Sequence, residues 1–141
     1  GKNDKYINAA VLIPLVKIAN ELHVLYQLRS QHIRQGGEVS FPGGMTENED
    51  KGDLEGTAIR ETVEELGIEE DCIKIIGHLG TMVSHSDMTI DVYIGILEDV
   101  KMEDLKLSEE VAEVFTIPLS RLKEMTAEIH YVHMEVEFHY L

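Results

Sequence analysis

The strongest constraint in this chain is a glycine turn placed ahead of a helix that is acidic on one side. "FPGG" occupies residues 41 to 44, and "RETVEELGI" follows at 60 to 68 with Glu61, Glu64 and Glu65 inside five positions. Spacing of i, i+3 and i+4 puts the three carboxylates within roughly 100° of arc on a helix. Leu54, Ala58, Ile59, Val63 and Leu66, with Thr62 among them, make an apolar face on the other side. Glu61 and Glu65 repel each other, and all three lie toward the helix C-terminus, where the dipole disfavours anions. A hard cation would turn this unfavourable cluster into a site, since Mg²⁺ takes carboxylate oxygens and keeps water for phosphate ligands. The plainer reading is a solvated acid face. The glycine turn shifts the balance, because it leaves main-chain groups uncovered and able to complete a coordination shell.

The net charge of −15, from 27 acidic against 12 basic residues, argues against a nucleic-acid surface. It leaves room for a small phosphorylated substrate met through a divalent cation. No apolar run approaches the roughly 18 residues of a membrane span, and the start carries no signal-peptide pattern. A lone cysteine, Cys72, excludes an internal disulfide framework and fits a reducing cytoplasm. At 141 residues and 43 % hydrophobic, residues 1–141 read as a single domain.

The apolar run Ile7 to Ile18 predicts a buried strand, "ANE" at 19 to 21 a turn, and His23 to Leu28 the returning strand. Residues 35 to 44 predict a glycine-rich loop around a short extended piece, and 46 to 53 a polar loop. The helix is expected over Leu54 to Leu66, with Asp53 as N-cap and Gly67 as stop. Ile73 to Thr81 and Thr89 to Leu97 read as strands, "KMEDLKLSEEVAE" as loop and turn with a short helix over Glu109 to Val114 as the alternative, and Phe115 to Ile117 as a brief strand. Pro118 opens a helical turn, and the alternating end, "EIHYVHMEVEFHYL", reads as a strand. His133, Glu135, Glu137 and His139 fall on one side of it and read as a solvated face. His85 and Asp87, in "SHSD", read as a solvated loop. Strands and helices are mixed, an α/β class.

Gly44 followed by "RETVEELGI" resembles the Nudix box: Gly, five residues, Glu, seven residues, then Arg-Glu-aliphatic-x-Glu-Glu-x-Gly-aliphatic. Arg60, Glu61, Glu64, Glu65, Gly67 and Ile68 match, and Thr62 stands at the first aliphatic position. Gly44 lies two residues too far from Arg60, and Gly52 stands at the middle Glu, with Glu49 and Asp50 nearby as substitutes. "LRSQHIRQGGEVSFPGG" resembles the motif upstream of the box in coenzyme A pyrophosphohydrolases through Arg29, Ser30, Arg34, Gly37 and Phe41 to Gly44. It is one residue short between Arg34 and Gly37, and Glu38 replaces the usual Gln. "EEVAEVFTIPLSRL", 109 to 122, is similar to a later stretch of the same group.

The resemblance implies an α/β/α sandwich with a mixed central β-sheet. The family's closing helix is expected to be missing from this chain or replaced by a different cap. It implies hydrolysis of a nucleoside diphosphate linked to another group, here coenzyme A, giving 4′-phosphopantetheine and adenosine 3′,5′-bisphosphate. Glu61, Glu64, Glu65 and the Gly43 carbonyl would hold Mg²⁺ or Mn²⁺, and Arg60 would orient a box carboxylate. Glu61 or a loop glutamate, Glu109 or Glu110, would be general base. Arg29 and Arg34 would contact phosphate, with Ser40 and Gly44 completing the substrate set. A homodimer is compatible with the family. The rivals are a Nudix enzyme for ADP-ribose or a damaged nucleoside triphosphate, a silent Nudix binding module, and a metal-buffering acidic protein.

Overall fold

A computed structural model describes residues 7–50, 52–83 and 87–124. The chain runs β1 (Ile7–Ile18), β2 (Glu21–Arg29), β3 (Val39–Ser40), β4 (Gly43–Met45), α1 (Leu54–Leu66), β5 (Ile73–Val83), β6 (Met88–Leu97), β7 (Val111–Pro118) and α2 (Leu119–Glu124). The strands form one mixed sheet in the order β3-β2-β1-β6-β5, with β4 on β1 and β7 on β2. β1 runs parallel to β6, and the other pairs are antiparallel. The mixed sheet and its helices agree with the sandwich expected from the sequence.

β1 organises the sheet because its apolar run suits burial on both faces. Ala10, Leu12 and Val16 are fully buried there and meet Leu25, Ala58, Leu66, Ile73 and Leu97 in the core. Two strands share one edge of β1. β2 pairs with Leu15 to Ile18, and β4 pairs with Ala9 to Val11. Leu12 N donates to Pro42 O at 2.9 Å between them. This division seats the Gly43–Gly44 turn at the centre of the sheet, against α1.

α1 has the bounds that its sequence signals predict. Asp53 accepts from Gly56 N at 3.1 Å as N-cap. Gly67, at φ 67°, ends the helix in the left-handed region and donates to Val63 O.

Two expectations are corrected. The loop-and-turn reading holds as far as Glu109 and Glu110, which form a turn, but the alternative helix over Glu109 to Val114 is absent: Val111 begins β7, which pairs with β2 from Arg29 to His23. The β-branched residues of β7 suit a pleated ladder, and the open edge of β2 supplies the partner. Phe115 to Ile117 is the middle of this strand. α1 is also not divided into an apolar and an acid face. Thr57, Ala58, Thr62, Glu65 and Leu66 are its buried residues, whereas Ile59 and Val63 are only half-buried. The helix turns Glu65 toward the sheet. The expected final strand and closing helix lie outside the described residues, as does His85, while Asp87 is exposed.

Candidate active site

The carboxylates of α1 stand in three different environments. Glu65 is buried, at 5 % exposure; the side chain of Glu61 is 17 % exposed and that of Glu64 57 %. Gly43 N donates to Glu65 Oε2 at 3.3 Å. Gly44 lies directly under Glu61: a Cβ on Gly44 would stand 2.5 Å from Glu61 Oε2. Both glycines of "FPGG" therefore bring bare backbone against a glutamate.

Burial raises the Glu65 carboxyl to about 8, helped by the Glu61 charge and opposed by the Gly43 N–H. Burial likewise lifts Glu61 to about 7, against the pull of Arg60 and with repulsion from Glu64 and Glu110. Two neighbouring carboxyls raised mainly by burial are groups that an added positive charge would favour in their ionised form.

Arg60 is the one guanidinium seated among these acids in the described residues. Its Nε donates to Asp50 Oδ1 at 2.9 Å and its Nη2 to Asp50 Oδ2 at 3.0 Å. Nη2 also donates to Met45 O at 3.2 Å, and Nη1 reaches Glu61 and Glu64 at 3.3 and 3.4 Å. The hydrogen bond from Arg60 holds the Asp50 carboxyl well below the usual range. The sequence left Asp50 and Glu49 undecided as stand-ins for the middle box acid. It is Asp50 that pairs with Arg60, carried there by a 3₁₀ turn over Asn48–Asp50, while Glu49 is exposed.

Glu110 comes from another part of the chain. Lys106 N and Ser108 N donate to Leu66 O and Glu65 O at 2.9 and 3.0 Å, docking the loop after β6 on the end of α1. Ser30 ties the same loop to β2, its N donating to Glu110 O at 2.9 Å and its Oγ to Glu109 O at 2.6 Å. The Glu110 carboxylate is near enough to raise both Glu61 and Glu65.

Among the described residues, neither Arg29 nor Arg34 forms an ion pair with these carboxylates. The Arg29 guanidinium donates from Nε and Nη2 to Arg34 O at 3.3 and 3.2 Å, bracing the loop from Gln31 to Gly37, and the Arg34 side chain is exposed. Ser40 lies on β3 opposite Gln27, with its Oγ buried.

The oxygen donors suit a hard divalent cation in type, and the raised carboxyls call for positive charge there. Their present arrangement is more open than a finished metal shell. Among the described residues, no three His, Cys, Asp or Glu side chains converge as a metal would require. Arg60 Nη1 holds both Glu61 and Glu64.

The NUDIX domain family model matches residues 7–135, so the chain belongs to the Nudix family. It is 39 % identical over 127 residues to Nudix hydrolase 3 of Caenorhabditis elegans, covering 85 % of this chain and 52 % of that protein. It is 34 % identical over 111 residues to the mouse peroxisomal coenzyme A diphosphatase NUDT7, covering 78 % of this chain and 46 % of the relative. With the mouse mitochondrial coenzyme A diphosphatase NUDT8 it shares 38 % over 117 residues, 81 % of this chain and 55 % of the other. The chain thus spans about half the length of these curated relatives. The fold resembles a C. elegans Ap4A hydrolase in a binary complex, at TM-score 0.65 and 20 % identity, over 93 % of this chain and 98 % of that one. Among the described residues, no helix is long and apolar enough to cross a membrane.

Proposed function

We propose that this chain hydrolyses the pyrophosphate bond of coenzyme A or its derivatives, giving 4′-phosphopantetheine and adenosine 3′,5′-bisphosphate. The observation that carries the reading is the meeting of Glu61, Glu65, Glu110 and the Arg60–Asp50 pair on a bare glycine turn. Two relatives named as coenzyme A diphosphatases support the substrate, as does the Arg29 to Gly44 motif.

Glu61, Glu64, Glu65 and the Gly43 carbonyl would hold Mg²⁺ or Mn²⁺, which supplies charge neutralisation at the diphosphate and a more acidic water. Arg60, gripped by Asp50, keeps Glu61 and Glu64 in place. Glu110 or Glu61 takes the proton of the attacking water. The water oxygen forms a bond to one phosphorus, and the bridging oxygen leaves with the other phosphate. Arg29 and Arg34 offer planar forks to phosphate, including the 3′-phosphate of coenzyme A, and Ser40 and Gly44 line the approach. The lone cysteine keeps the cytoplasm as the proposed compartment.

Glu38 and the shortened Arg34-to-Gly37 spacing favour, as a second reading, another nucleoside diphosphate derivative such as ADP-ribose. The test is incubation with Mg²⁺ and coenzyme A, ADP-ribose, dinucleoside polyphosphates and nucleoside triphosphates, with product identification. Cleavage of coenzyme A to the two named products is expected. Brisk turnover of ADP-ribose without coenzyme A cleavage moves the assignment to the second reading. No turnover of any of them makes the chain a binding module.

A further inference from the structure

Gln27 lies in β2 on the sheet side covered by α1, two residues from the core residue Leu25. Its exposure is 0 %, yet neither its amide nitrogen nor its amide oxygen has a hydrogen-bond partner. A buried amide without partners is costly, and an apolar side chain of the same shape would avoid the cost. Packing alone therefore does not account for a glutamine here.

Its neighbours show what it faces. Gln27 is opposite Ser40 in the β2–β3 ladder, and the Ser40 hydroxyl is also buried and unpartnered. Glu38, two residues before Ser40, has a buried, unpartnered Oε2. Residues paired in a ladder, and those two apart along a strand, project to one side, so these groups form a polar layer beside the α1 carboxylates. Gly43, three residues beyond Ser40, donates to Glu65 Oε2. A side-chain hydrogen-bond interaction from the Gln27 amide favours the ionised form of Glu65, without the close, well-aligned geometry of a full hydrogen bond.

We propose that Gln27 is a positioning residue for Glu65: its Nε2 donates to the carboxylate when Glu65 engages a cation, and the Ser40 hydroxyl donates to its Oε1. The proposal rests on the reading that Glu65 is a metal ligand. Gly43 N–H and Gln27 Nε2 then steer the carboxylate from two sides.

Mn²⁺ binding to the whole chain, followed by the electron paramagnetic resonance signal of the free ion, tests this. Wild type, Gln27→Met, Glu65→Gln and the double variant are compared, with the melting temperature of each metal-free protein. Gln27→Met should weaken Mn²⁺ binding about tenfold while melting at or above wild type. In the Glu65→Gln background the same change should have no further effect on Mn²⁺, because the partner it steers is gone. Ser40→Ala should reproduce part of the loss without a fall in melting temperature, and serves if Gln27→Met does not fold. Wild-type Mn²⁺ affinity in Gln27→Met, or an equal loss in both backgrounds, overturns the proposal and leaves the metal reading intact. Unchanged Mn²⁺ affinity in Glu65→Gln overturns the metal reading itself, and the role of Gln27 with it.

Discussion

Asp50 grips Arg60 at two points, Oδ1 on Nε at 2.9 Å and Oδ2 on Nη2 at 3.0 Å. The same carboxylate accepts from Thr57 Oγ1 at 2.8 Å and Glu47 N at 2.9 Å. One side chain thus joins the loop before α1, the first turn of the helix and the arginine that holds Glu61 and Glu64. A planar fork on a carboxylate is directional as well as attractive, so the pair sets the Arg60 position rather than merely neutralising it.

Asp50→Asn should therefore lower turnover roughly 10- to 100-fold, the range for a group that supports ligands without touching substrate. Glu49→Gln should stay near wild type, since Glu49 is exposed. Steady-state kinetics on whichever diphosphate is cleaved checks this, and equal losses in the two variants would count against the pairing.

Glu64→Gln and Glu65→Gln each remove a proposed metal ligand. Turnover should fall by at least about 100-fold, beyond the loss from a merely supporting group, with an unchanged circular dichroism spectrum. Activity that survives both changes would end the metal-site reading.

Gly44→Ala tests close approach. The added Cβ would collide with the end of the Glu61 side chain, 2.5 Å from Oε2. That end is free to swing, so the protein should fold and melt near wild type. A misplacement of about 1 Å can cost roughly 100-fold in rate, and a loss of that order is expected. Wild-type turnover would show that Glu61 works from another position.

Gly67→Ala tests the helix stop. Its φ of 67° is left-handed, which costs a residue with a Cβ about 1–2 kcal/mol. Its Cβ would also press on the Lys106 carbonyl, whose loop leads on to Glu110. Denaturant unfolding should show a loss of at least that size.

The pH dependence follows from Glu61 and Glu65. Their folded-state carboxyls are raised to about 7 and about 8, above the ordinary 4.5. The unfolded chain gives up these protons more readily, so their ionisation favours unfolding. The related stability is present in full below about pH 4.5 and is lost as pH rises through 7 and 8. The metal-free protein should melt at lower temperature at pH 8 than at pH 6, Glu65→Gln should flatten the slope, and Mg²⁺ should raise the melting temperature more at pH 8. A slope unchanged in Glu65→Gln would assign the trend to other acids.

Elements set by local pattern were legible in the residues. β1 follows from a stretch rich in Val, Ile, Leu and Ala, and α1 from its periodicity between Asp53 and Gly67. β7 was not, because "EEVAEV" fits a helix as readily as a strand, and the choice came from the vacant edge of β2. Gln27 left a faint trace, a single amide within the apolar strand "HVLYQLR". Its lack of partners is visible only once β3 and α1 are placed around it.

By itself, the sequence determined the helix, its two ends, the glycine turn and the company of three glutamates with one arginine. These depend on dihedral preference and spacing along a few turns, which neighbouring residues dictate. Tertiary structure decided which glutamate is dry, that Asp50 rather than Glu49 takes Arg60, and that Glu110 arrives from a loop docked on the helix end. Those outcomes depend on dehydration and on hydrogen bonds between distant segments, and no residue carries either until the chain has closed around it.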